Sequence, residues 1–113
     1  MIVFISSPYG DDPEGNTKRA RSYCRFAVNR GVTPCAPHLL FPQFVSERTG
    51  REKALQMGME MLSRCDEVWC FGGISPGMKE EIKEAKRLRK TIRYFIPVKG
   101  SGQEGGFCEG ILR

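Results

Sequence analysis

The chain has 113 residues, 40% hydrophobic and 27% charged, enough apolar material for one compact core and too little length for two. That balance excludes a disordered chain, and no apolar run approaches the ~20 residues that span a bilayer. Eighteen Lys and Arg against 13 Asp and Glu leave a net charge of +5, which raises the question of a polyanionic partner.

Residues 1–6, Met-Ile-Val-Phe-Ile-Ser, form a continuous apolar run that predicts a strand buried on both faces. Met1 opens directly onto it, with no basic segment or cleavage site before it, so a cytoplasmic protein is expected. Ser7 to Gly15 is a turn-rich loop, and Asn16 is the expected helix cap. Ala20, Tyr23, Cys24, Ala27 and Val28 then recur at helical spacing, and Gly31 is the expected left-handed stop.

A short strand is predicted over Val32–Ala36. Pro37 to Phe44 is apolar but punctuated by proline, which predicts an ordered loop at the strand end. Ala54, Met57, Gly58, Met61, Leu62 and Cys65 mark a second helix, and Glu67–Phe71 a third strand stopped by Gly72-Gly73. Ser75-Pro76-Gly77 is a cap-then-first-turn sequence opening a third helix, with Met78, Ile82, Ala85 and Leu88 as its apolar stripe. Thr91–Ile96 is the fourth strand. A domain over 1–96 and a glycine-rich tail over 97–113 are expected, with Phe107 and Ile111-Leu112 able to dock.

The order β-α-β-α-β-α-β with short connections predicts a single doubly wound α/β domain of flavodoxin or Rossmann-like type, with a four- to five-stranded parallel sheet. Ligands in such sheets bind beyond the carboxyl ends of the strands. The loops that meet there are Ser6 to Gly15, Pro37 to Phe44 and Gly72 to Gly77.

Of the chemistry-bearing residues, Cys24, Cys35, Cys65 and Cys70 lie in apolar segments and Cys108 in the tail. They form no C-x-x-C pair, and His38 is the only histidine, so neither a zinc site nor a disulfide framework is expected. The basic excess sits on two predicted helices, at Lys18, Arg19, Arg21, Arg25 and at Lys86, Arg87, Arg89, Lys90. A solvated helix face accounts for it better than a nucleic-acid surface. Gly72 to Gly77 is a glycine-rich turn entering a helix, which suits a phosphate, yet it matches neither the Walker loop nor the dinucleotide fingerprint. Glu81 flanks the buried stripe of that helix. By spacing alone it is either an acid, base or nucleophile, or a helix-start glutamate favoured by the macrodipole. Trp69 and the Met57, Met59, Met61 group read as packing. His38 and Tyr9 are equally compatible with structural roles and with ligand contact.

Four segments carry a resemblance: Ile5-Ser6-Ser7-Pro8-Tyr9, Ala36-Pro37-His38-Leu39-Leu40-Phe41-Pro42, Cys65-Asp66-Glu67-Val68-Trp69, and Ser75-x-Gly77-x-x-x-Glu81. With them the chain, from the first strand through Ile96, resembles the nucleoside 2-deoxyribosyltransferase-like superfamily. That superfamily includes 2′-deoxynucleoside 5′-phosphate N-hydrolases, and the match is to a small phage- and bacteria-associated branch. The resemblance implies an N-glycosidase or deoxyribosyltransferase acting on a nucleoside or nucleoside 5′-monophosphate, with Glu81 as the nucleophile at C1′. It implies that Ser75 and Gly77 hold a 5′-phosphate and that Ser6, Ser7, Tyr9 and Gly10 line the sugar side. His38 and the loop containing Phe41 would face the base. It implies a homodimer or higher homo-oligomer, and no metal or organic cofactor is expected.

One departure stands out. Members often carry a second acidic residue on the helix before the third strand, and the register places Gly58 there, with Glu60 on another face. Asp66 is expected at the opposite end of the sheet. The alternative to an enzyme is therefore a catalytically silent nucleotide-binding protein that senses or sequesters a nucleotide-derived signal; a nucleic-acid-binding protein is the weakest reading.

Overall fold

Apolar residues at successive positions of β1 (Ile2–Ser6) and β3 (Glu67–Phe71) can all be buried only if both faces of the sheet are covered. The computed structural model, which describes residues 1–97 and 107–110, has that arrangement. Its other strands are β2 (Thr33–Cys35), β4 (Thr91–Pro97) and β5 (Phe107–Gly110). The sheet order is β2-β1-β3-β4-β5, with β1 to β4 parallel and β5 antiparallel to β4. The doubly wound α/β architecture is as the sequence predicts, with an antiparallel edge in place of a fully parallel sheet.

The two faces are packed differently. Val3 and Ile5 point with Trp69, Phe71 and Phe95 toward α1 (Pro13–Asn29), which contributes Ala20, Tyr23 and Ala27. Phe4 points the other way with Val68 and Cys70, against Leu62 and Cys65 at the end of α3 (Glu47–Arg64) and Met78, Ile82 and Ala85 of α4 (Pro76–Arg87). Period-2 alternation in β1 and β3 thus feeds two separate cores.

Local chemistry explains where elements begin and end. Helix α1 starts earlier than Asn16: Asp12 is its cap, accepting from Gly15 N–H at 3.2 Å, with Pro13 in the first turn. Asn16 is buried inside the helix, and Val28, expected on the stripe, is exposed. Gly31 has φ +82° just past the helix end, the left-handed stop its identity predicts. Pro37–Leu40 forms a short helix, α2, followed by a 3₁₀ turn over Phe41–Gln43. The sequence suggested a loop there; Pro37 and Pro42 instead stand in first-turn positions, where proline's missing N–H costs nothing.

The tail also contributes a strand. Phe107 packs edge-on against Tyr23, Phe26 and Phe71, with ring centroids 5.4, 5.2 and 5.4 Å away. That contact seats β5 beside β4, whereas the expected docking of Ile111-Leu112 lies outside the described residues. Among the described residues no helix is long and apolar enough to cross a membrane.

Candidate active site

Because α1 leaves β1 toward one face and α4 leaves β3 toward the other, the connections after these two paired strands turn apart, and the switch point between them is where a ligand crevice is expected. The rung at that crevice pairs Ser6 with Cys70 of β3 and, beyond it, Tyr94 of β4. Ser6 is fully buried. Its hydroxyl donates to Glu81 Oε1 on α4 at 2.6 Å, so the end of β1 and the body of α4 meet in one hydrogen bond.

The Glu81 carboxyl is largely withdrawn from water. Burial pushes its pKa up to about 7, against the Ser6 hydrogen bond, which favours the charged form and pulls it down. A carboxyl poised there is divided between acid and carboxylate at neutral pH. Cys70, opposite Ser6 on β3, sits behind this pair; burial above all pushes its thiol up, to about 12, so it remains a neutral thiol. Sequence reasoning missed Cys70, whose only signal is its place one strand over from Ser6.

Around this pair, Ser75 caps α4, its hydroxyl accepting from Met78 N–H at 3.2 Å while its carbonyl accepts from Lys79 N–H at 3.0 Å. That capping role was legible, and Ser75 is committed to it whatever else it touches. A side chain at Gly77 would meet nothing nearer than Ser75 Oγ at 4.0 Å, so the backbone of this turn is open to approach. Gly72, at the bend after β3, has φ +80°, and an added Cβ would come within 3.4 Å of Pro8 Cδ. The loops after β1 and β3 therefore touch.

The first loop is fastened from below: Asn16 donates to the Tyr9 carbonyl at 3.0 Å and to Asp11 Oδ1 at 2.9 Å. This tie, too, was not foreseen. Tyr9 in turn lies against His38, ring centroids 5.0 Å apart and tilted by 38°. Burial holds the His38 pKa below its ordinary value, so the ring is neutral. Its Nδ1 is buried and, among the described residues, unpartnered, as is the hydroxyl of Ser7, a residue only 2% exposed. Two such atoms, one in the loop after β1 and one in α2, are unusual in a finished core.

Gly10 is exposed and open. Phe41 is turned inward, edge-on to the exposed Phe44 at 6.1 Å. The structure thus joins Ser6 with Glu81, Tyr9 with His38, and Ser75 with Gly77, while Phe41 is buried beside Phe44.

On α3, Gly58 is buried and stands one turn before Leu62 on the sheet-facing side, with nothing within 4 Å of a Cβ built there. Glu60 is exposed and within 3.9 Å of Arg64. Asp66 accepts from Ile2 N–H at 2.7 Å, at the opposite end of the sheet, as expected. Among the described residues no group of three or more His, Cys, Asp or Glu is placed to hold a metal ion.

Comparison with solved structures finds the same fold in nucleoside-processing enzymes. A 2-deoxyribosyltransferase from Leishmania mexicana is 18% identical, with a TM-score of 0.63 over 84% of this chain and 63% of that one. A 2-deoxyribosyltransferase from Bacillus psychrosaccharolyticus is also 18% identical, with a TM-score of 0.63 over 88% and 74%. A CMP N-glycosidase from Clostridium botulinum is 22% identical, with a TM-score of 0.56 over 85% and 71%. The chain therefore has the nucleoside 2-deoxyribosyltransferase-like fold, and it spans less than two thirds of the Leishmania enzyme. Among curated proteins no sequence matches it. A family profile described as Domain of unknown function (DUF7768) matches residues 1–95, and the chain belongs to that family.

Proposed function

We propose that this protein cleaves or exchanges the base of a nucleoside or nucleoside 5′-monophosphate, with Glu81 as the nucleophile. The observation that carries the reading is the desolvated Glu81 carboxyl held by Ser6 at the switch point of the sheet. In the ionised form Glu81 attacks C1′, the bond from C1′ to the base nitrogen breaks, and the base leaves with that electron pair and takes up a proton. The positive charge that gathers on the sugar in such a step is met by the carboxylate. Water, or a second base, then attacks C1′ and frees Glu81.

In this reading Ser6 orients the nucleophile, and the open turn at Ser75 and Gly77 receives the 5′-phosphate at the start of α4. Ser7, Tyr9 and Gly10 border the sugar, and His38, backed by Tyr9, offers its unpartnered Nδ1 to the ligand. A homo-oligomer remains the proposed assembly, and a cytoplasmic location the proposed compartment.

A second reading rests on Gly58, which supplies no carboxylate on the face of α3 that packs toward the sheet. On that account the protein binds a nucleotide and does not turn it over. Chromatography after incubation with nucleosides, 5′-monophosphates and NAD-related nucleotides decides between the two. Free base from the native protein, absent with Glu81→Gln, supports the enzyme; an intact panel with one compound retained through gel filtration supports the binding protein. Base release that survives Glu81→Gln would remove Glu81 from the account.

A further inference from the structure

The Glu81 carboxyl lies in a groove between two helices. α3 crosses from β2 to β3 over β1, and α4 crosses from β3 to its neighbour β4. The two helices pack on one face of the sheet and touch each other. Glu81 reaches from α4 to Ser6 at the end of β1, the strand beneath α3.

Gly58 stands on the opposite wall. Asp66, just past the end of α3, accepts from Ile2 N–H at the foot of β1. From Ile2 to Ser6 the strand rises about 13 Å, and from Cys65 back to Gly58 the helix rises about 10 Å, which brings Gly58 close to the height of Ser6. Gly58 is buried, yet a Cβ placed on it meets nothing within 4 Å. Interiors close on themselves with few voids, so an enclosed glycine beside open space leaves room for a group the chain does not supply. Glycine in mid-helix also costs stability relative to alanine, and neither a positive φ nor a close approach requires it here.

We propose that this gap receives the 2′-hydroxyl of a ribose, which makes the site one for ribonucleosides and their 5′-monophosphates. The inference rests on the reading that sets C1′ against Glu81, and it holds whether the base is released or only bound.

Stereochemistry leads there. In a β-nucleoside the base occupies one face of the sugar, so a carboxylate approaching C1′ in line comes from the other. The ribose 2′-hydroxyl projects on that second face from the carbon bonded to C1′, and it needs room beside the carboxylate. Ser6 takes Glu81 Oε1, and the hydroxyl donates to Oε2, a contact of the kind that strengthens toward the transition state of glycoside cleavage. A 2′-deoxy sugar leaves the gap unfilled and forfeits the contacts of its lining. The base, on the far face, and a 5′-phosphate at Ser75 and Gly77 do not compete for this space.

The experiment sets each ribonucleoside 5′-monophosphate against its 2′-deoxy counterpart on the full chain. It compares kcat/KM where base is released, and Kd from titration calorimetry where it is not. The native protein should favour the ribo form by about tenfold or more in at least one pair, the worth of one hydrogen bond to a charged group. Gly58→Ala, whose methyl meets no neighbour, should melt no lower than the native protein and should reduce that ratio; Gly58→Leu should reduce it further. No preference, preference for the deoxy form, or a ratio unchanged in both variants overturns the inference and leaves the reading of Glu81 standing, since loss of base release in Glu81→Gln tests that reading separately. A protein that neither cleaves nor binds any member of the set overturns both.

Discussion

Ser6, the last residue of β1, donates a 2.6 Å hydrogen bond to Glu81 on α4, a contact between residues 75 positions apart. It couples the sheet's switch point to the helix that opens on Ser75. The carboxyl it holds is raised by burial and lowered by the serine, and those opposed effects set the pH behaviour of the site.

If the ionised Glu81 is the reacting form, base release increases with pH through about 7 and then levels. Ser6→Ala removes the donor that favours the carboxylate, so the acid limb of the pH–rate profile moves to higher pH. A displacement of one pH unit corresponds to a roughly tenfold loss of kcat/KM below the limb, with little loss above it. A uniform loss at every pH would show that Ser6 acts other than through ionisation of Glu81.

Stability carries the opposite sign. The folded pKa of about 7 exceeds the ordinary value of 4.5, so the folded state binds the proton more tightly. Below pH 4.5 both states are protonated; between there and about 7 stability falls as pH rises, by on the order of 3 kcal/mol in all. Glu81→Gln cannot ionise, so it should melt higher than the native protein at pH 8 and close to it at pH 4. Thermal denaturation at the two pH values checks this.

Ser75 separates capping from ligand binding. Ser75→Ala loses the acceptor for Met78 N–H and should cost about 1 kcal/mol. Ser75→Asp keeps a cap and brings a negative charge to the helix start, favourable to the helix and unfavourable to a phosphate. Its KM should rise about tenfold or more for a nucleoside 5′-monophosphate and stay unchanged for the nucleoside, by like-charge repulsion. Equal KM changes for both would place the phosphate elsewhere.

Gly72→Ala forces a side chain onto a backbone with φ +80° and within 3.4 Å of Pro8 Cδ. A loss of at least ~1 kcal/mol is expected, together with slower turnover, because the loops after β1 and β3 border the same crevice. Gly73→Ala, where nothing lies within 4 Å of the added Cβ, should leave stability nearly unchanged.

Local signals carried much of this structure. The unbroken apolar runs at Val3–Ile5 and Val68–Phe71 gave two-sided burial, Gly31 the end of α1, and Ser75-Pro76 the start of α4. Capping chemistry was legible but misassigned at α1, where Asp12 followed by Pro13 is a stronger start than Asn16. The short helix at Pro37 fell below the length at which periodicity speaks. Strand β5 depends on Phe107 reaching Tyr23, Phe26 and Phe71, contacts no local window contains. Glu81 was readable as a carboxylate beside a buried stripe, but its pairing with Ser6 and the place of Cys70 opposite that serine exist only once the strands are ordered.

The most direct test of the account is mass spectrometry of the protein quenched in acid during turnover of a nucleotide whose base it releases, with Glu81→Gln alongside. The account predicts a sugar ester on the peptide containing Glu81, formed as base is released and absent from the variant. Undiminished base release by Glu81→Gln, with no sugar attached at position 81 of the native protein, would contradict it.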